Sequence, residues 1–347
     1  MGEFTPEQWQ GLKDSFRLDW APAACDAQCE NAAKLGQALF FEPKLSGTGT
    51  VACVTCHAVS TGAGKPAWLS DLRAENAVSA SATGYTRHNT ISLVNVALKE
   101  DLAPSDQHWF TWTGQCSSGP CMTPGIVITD IALPRAMAST PAIIGDLIRG
   151  DRFYAELYGA AYQESDDATI LANVVRAFEA YMRRLVSVDS PFDRFVQGDD
   201  AALDDSAKRG FALFVGRALC IECHRGPLMT DYGFHVTGVE QRGLHAPLTD
   251  DGRDHTGAFF TATLRQTAET GPYMHDGSLQ TLADVVDFYR WGGAAAGYIG
   301  EKDPRIVPLE IDDDDARDLE TFLRTLTGSP VADALRVDTR CMGGACP

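Results

Sequence analysis

The chain has 347 residues, 44% of them hydrophobic and 22% charged, which is enough for two domains with cores of their own. Its formal net charge of −18 excludes a nucleic-acid backbone as a natural partner and favours a basic protein or basic patch instead. No apolar run approaches the ~18 residues that a membrane-spanning helix needs.

The chain opens on a polar lead-in, residues 1–30, that carries Cys25 and Cys29. Residues 31–41 read as a helix, stopped by Pro43 two residues on. Next comes Cys53-Val54-Thr55-Cys56-His57, a C-x-x-C-H signature for covalent attachment of a c-type haem. The spacing suits the chemistry: each thiol adds across one haem vinyl group, and the adjoining imidazole reaches the iron. A stretch rich in Gly, Ala and Ser runs to Gly84 and reads as loop. Arg87-His88-Asn89-Thr90 then leads into an apolar run over 91–98. An aromatic cluster at 108–114 contains Trp112 and precedes Cys116 and Cys121. Residues 168–186 place Ile170, Val174, Phe178 and Tyr181 at helical spacing, a stripe that belongs to a core. The polar, acidic stretch 191–205 marks a domain boundary.

The second half repeats the first. Cys220-Ile221-Glu222-Cys223-His224 is another C-x-x-C-H, and Ala33-Lys34-x-Gly36-x-Ala38-Leu39-Phe40 recurs as Ala207-Lys208-x-Gly210-x-Ala212-Leu213-Phe214. Such a repeat points to duplication of one haem-binding module. A four-cysteine zinc knuckle would keep its pairs much closer together. Residues 232–255 read as irregular structure around the second haem, and 279–289 as a helix. Asp312 to Asp315 suit the positive end of a helix dipole, and Leu319, Phe322, Leu323 and Leu326 follow before Gly328. The expected fold is mainly α: two cytochrome c-like haem domains with long loops, over 31–195 and 196–330, and a C-terminal tail over 331–347.

Of ten cysteines, four serve the haem motifs. Cys25, Cys29, Cys116, Cys121, Cys341 and Cys346 remain, in three close pairs. Local pairing is the economical choice among the 15 that six cysteines allow. Disulfides and c-type haem both belong outside the cytoplasm, so a periplasmic location is expected, with a leader removed from the chain. For the sixth ligand of the second haem, spacing by itself points to Met274.

Several blocks together resemble the bacterial di-haem cytochrome c peroxidase and MauG family: Leu35-Gly36-x-x-Leu39-Phe40-Phe41 through Cys56-His57, Asn89-Thr90, Phe110-x-Trp112-x-Gly114, Phe260-x-x-x-Leu264-Arg265 and Pro272-Tyr273-Met274-His275-Asp276-Gly277. The resemblance covers roughly residues 31–328. It implies two facing haem domains, with a peroxide-reactive N-terminal haem and a C-terminal haem that relays electrons. His57 and His224 become the proximal iron ligands. The family's sixth ligand lies fourteen residues beyond the histidine of the Tyr-x-His-x-Gly block, which here is Tyr289. A tyrosine there is the MauG-like choice, and an oxygen ligand favours higher oxidation states. By the same resemblance Trp112 stands between the haems as an electron-hopping station and His275 lies in the haem environment. A calcium ion would be held by Asn89, Thr270 and Pro272.

One departure stands out. The family places a distal glutamate after the tryptophan motif as acid–base for peroxide cleavage. Here residues 125–138 contain no glutamate, Ala136 takes its position, and Asp130 is the carboxylate nearby. The leading expectation is an oxidoreductase that uses hydrogen peroxide to oxidise a protein partner or substrate. The alternatives are a peroxidase detoxifying peroxide with a small redox donor, and a di-haem electron carrier or sensor without turnover.

Overall fold

The computed structural model describes residues 4–57, 59, 88–104, 107, 111–114, 131–132, 136–163, 166–241 and 250–341. The described residues are mainly α-helical, and no described helix is long and apolar enough to cross a membrane. Strand is confined to one antiparallel pair, β1 (Phe234–His235) with β2 (Phe259–Phe260), apart from isolated bridges, among the described residues.

Two helix pairs organise two cores. In the first, α2 (Ala27–Phe40) lies across α7 (Asp167–Met182), flanked by α5 (Pro141–Gly150) and α6 (Arg152–Ala161). Leu35, Leu39, Phe40, Ile144, Phe178 and Tyr181 fill it. Helix α2 begins before the expected residue 31 because the Asp26 carboxylate accepts the Cys29 amide at 2.9 Å, capping the free end. In the second core, α9 (Asp205–Val215) lies across α11 (Asp313–Arg324), which opens on a capping box between Asp312 and Asp315. Rings dominate this core: Phe192 packs on Phe211 at 5.1 Å and on Phe322 at 5.3 Å.

The sequence repeat has a packing cause. A Cβ placed on Gly36 would sit 2.0 Å from the Ala177 carbonyl oxygen, and one on Gly210 would sit 2.0 Å from that of Asp318. The repeated glycine is therefore where each partner helix crosses at backbone contact.

The termini exchange domains. Helix α1 (Pro6–Ser15) joins the second core, with Trp9 5.2 Å from Phe211 and Phe16 fully buried beside Phe192. Residues 331–341 return to the first. Gln37 donates to the Ala334 and Val337 carbonyls at 2.8 and 3.0 Å, Tyr181 donates to the Leu335 carbonyl at 2.7 Å, and Arg340 pairs with buried Glu42. The lead-in and tail thus act as straps. Phe192 and Phe195, on α8 (Pro191–Val196), belong to the second core, so the chain has entered that domain before residue 196. Cys25 and Cys29 form a disulfide. Cys116, Cys121 and Cys346, and the side chain of Cys341, lie outside the described residues.

Candidate haem and active site

The first C-x-x-C-H forms one helical turn, α3 (Cys53–Cys56), which sets two thiols three residues apart on one face. His57 follows, its amide bonded to the Cys53 carbonyl at 2.9 Å. Burial pushes the His57 imidazole down to about 4, outweighing the Ile91 carbonyl that favours its protonation. The ring is therefore neutral at pH 7, the form that can ligate a metal. Its Nδ1 is sealed from solvent and makes no well-formed hydrogen bond, because the Ile91 carbonyl lies near without good alignment.

The second motif begins on Leu219 in the left-handed region (φ 56°), followed by a 3₁₀ turn over Cys220–Glu222. His224 Nδ1 donates to the Met229 carbonyl at 2.9 Å, which fixes the tautomer and leaves the Nε2 lone pair free to ligate a metal. Burial lowers this imidazole too. Burial also raises the thiols, to about 12 for Cys220 and about 11 for Cys223. Helix α10 (Leu282–Arg290), capped by Thr281 and Asp284, brings Tyr289 to the same place. Its phenol is pushed up by burial and then by the neighbouring Cys223 and Cys220. One cavity is lined by Cys220, Cys223, His224 and Tyr289, and by Met274 and Trp112. Two thiols, a neutral imidazole and a phenol on one cavity are the donor set a c-type haem takes, so the residues fit that group.

The cavity reaches across to the first domain. Asn89, Thr90 and Ile91 line it, and Ile91 is the residue whose carbonyl lies against His57. Trp112 spans the gap: its Nε1 donates to the Asn89 carbonyl at 2.7 Å and its own carbonyl accepts the Phe260 amide at 2.9 Å. His275 is buried and stacks on Phe259, ring centroids 3.5 Å apart and 9° from parallel. Burial pushes it down to about 4. His88 turns to Asp250, with 2.7 Å between Nε2 and Oδ2 but without the alignment of a good hydrogen bond.

Asn89, Thr270 and Pro272 also line the cavity. The Asn89 amide nitrogen donates to the Pro272 carbonyl at 2.6 Å and to that of Met274 at 3.1 Å, while Oδ1 is buried without a partner. Asp130 lies outside the described residues. Ala136 stands beside Met137, whose carbonyl accepts the Gly47 amide at 2.8 Å in the loop before the first haem motif.

A charged group beside the second motif was not foreseen. His235 is held between Asp231 (Nε2, 2.9 Å) and Asp303 (Nδ1, 2.9 Å), and Asp303 also pairs with Arg305. Asp231 raises the imidazole most, against an opposing effect of burial. Asp231 precedes His235 by four residues, a local signal, whereas Asp303 comes from far along the chain.

Comparison with known proteins matches residues 30–201 to the family described as di-haem cytochrome c peroxidase. The chain is 34% identical over 313 residues to the methylamine utilization protein MauG of Methylorubrum extorquens, covering 87% of this chain and 79% of that one. It is 32% identical to the cytochrome-c peroxidase IdrP1 of Denitromonas iodatirespirans, covering 84% and 80%. Among solved structures, a MauG-like protein associated with microbial copper homeostasis superposes with a TM-score of 0.70 at 27% identity, covering 92% of this chain and 97% of that one.

Proposed function

This chain belongs to the di-haem cytochrome c peroxidase and MauG family and is a peroxidase-type oxidoreductase with two c-type haems, and from that premise we propose that it uses hydrogen peroxide at the N-terminal haem to oxidise a protein partner, with electrons relayed through the C-terminal haem. The observation that carries this reading is the single cavity shared by the second haem's anchors, Tyr289, Trp112 and the Asn89–Ile91 segment that reaches His57. Bound haem irons would supply the redox chemistry. The protein's part is to hold neutral imidazoles at His57 and His224 and the Tyr289 oxygen as the groups that would bind those irons, and to fix the Trp112 indole between the domains.

Calcium belongs to the proposal as well. A half-turn of the Asn89 amide about its terminal bond would bring the partnerless Oδ1 round to the Pro272 and Met274 carbonyls, to which the amide nitrogen now donates. An all-oxygen lining of that kind suits a hard cation. A periplasmic location follows from the haem attachment chemistry, in keeping with the Cys25–Cys29 disulfide.

Ala136 at the position of the family's acid favours a second reading, an electron carrier or sensor without turnover. Detoxification of peroxide with a small redox donor is the third. Absorption and EPR spectra of the diferric protein before and after one equivalent of peroxide separate them. Changes at both haems, reversed by a protein reductant, support the proposal; spectra untouched by peroxide would overturn it.

A further inference from the structure

Lys99 lies on α4 (Val96–Leu102), behind Asn95, whose side chain is locked onto Ser187 by bonds of 2.9 Å to its carbonyl and 2.8 Å from its amide. The helix is therefore anchored, and Lys99 has little freedom to turn outward. It is only 7% exposed and lines the cavity shared by Tyr289, His224 and Trp112. Among the described residues no carboxylate pairs with its ammonium, and no oxygen accepts from it. Its neighbour Glu100 faces elsewhere, bonded to Arg183 at 2.9 Å. Burial pushes the lysine down to about 8, and no nearby anion offsets that.

A buried ammonium without a partner costs several kcal/mol, so a lysine in such a place ordinarily has an anion beyond those the described residues supply. The haems would bring such anions, since each carries propionates, and Cys220, Cys223, His224 and Tyr289 on this cavity would hold one of them. We infer that Lys99 is the counter-ion of a haem propionate, holding that carboxylate ionised and placing a fixed positive charge beside the haem. The cation stabilises the reduced, more negative state of the haem it touches, and in a low-dielectric cavity that influence is strong. Either haem could supply the propionate, since Ile91 on the same cavity lies against His57 while Cys220 and Cys223 anchor the other.

The test compares the wild-type holoprotein with Lys99→Met and Lys99→Arg, with both haems confirmed by pyridine haemochrome. Midpoint potentials of the two haems are followed separately, by absorption and EPR during redox titration. The expected result is a fall in the potential of one haem in Lys99→Met, with Lys99→Arg near wild type. A shift confined to the His57 haem assigns the propionate there, and one confined to the His224 haem assigns it to the second. Unchanged potentials overturn the inference, as does an equal shift of both haems, which a remote charge would produce. Should Lys99→Met fail to mature, a crystal structure of the wild-type holoprotein decides. A propionate oxygen within about 4 Å of Lys99 Nζ, the reach of an ion pair, supports the inference, and a longer distance refutes it.

Discussion

The indole Nε1 of Trp112 donates to the backbone carbonyl of Asn89 at 2.7 Å, and this bond fixes the orientation of an aromatic ring on the wall of the cavity that Cys220, Cys223 and His224 also line. The Asn89 amide in turn donates to the His275 carbonyl at 2.7 Å, and the Trp112 carbonyl accepts from Phe260. One short run of hydrogen bonds thus ties Asn89 and Trp112 to His275 and Phe260.

Trp112→Phe keeps an aromatic ring but removes the donor, leaving the Asn89 carbonyl unpaired at a cost of about 1–3 kcal/mol. Both haems should still be incorporated. Stopped-flow absorption after peroxide should show the His224 haem responding more slowly than in wild type. An unchanged rate would reduce Trp112 to packing.

Tyr289 and Met274 line the same cavity, so the sixth ligand can be read from spectra. Tyr289→Phe should convert the second haem from low-spin to a five-coordinate or water-ligated form, while Met274→Leu leaves its spectrum intact. A methionine–iron charge-transfer band that disappears in Met274→Leu, with Tyr289→Phe silent, would reverse the assignment.

The helix crossings are testable through their glycines. Gly36→Ala and Gly210→Ala each force a methyl against a backbone carbonyl and should destabilise by on the order of 1–3 kcal/mol. Gly11, on α1, has open space around its Cα, so Gly11→Ala should stabilise by about 0.5–1 kcal/mol. Chemical denaturation of the three variants should separate the two signs.

Acid stability should depend on Asp193 and Arg265, a pair whose side chains are each 3% exposed and 2.9 Å apart. Burial raises the Asp193 carboxyl, but Arg265 and Ser190 outweigh it and hold it below its ordinary value of 3.8. A depressed carboxylate contributes stability above its unfolded pKa and loses it as pH falls through the folded one. Arg265→Met should cost about 3–5 kcal/mol, because it leaves a buried charge unpaired. It should also move the onset of acid unfolding to higher pH, since burial then acts on Asp193 with less opposition. Thermal melts of the holoprotein across the acid range would check both, and an onset that stays in place would remove Asp193 from the account.

What the sequence determined by itself is local. The two C-x-x-C-H motifs are contiguous, so the candidate haem anchors Cys53, Cys56, His57, Cys220, Cys223 and His224 can be named from the sequence. Asp26 and Asp312 cap helices through amides three residues on, and the duplicated glycine announced a duplicated helix crossing. The partners in those crossings, Ala177 and Asp318, carry no local mark. Only the tertiary structure decided that the lead-in joins the second core and the tail the first, because an apolar or hydrogen-bonding residue records that it will be buried but not against what. The same holds for His235 meeting Asp303 across 68 positions and for Lys99. A lysine in a sequence reads as surface; the anchoring of Asn95 to Ser187, 92 residues away, is what turns this one inward, into a cavity where a charge must find its opposite.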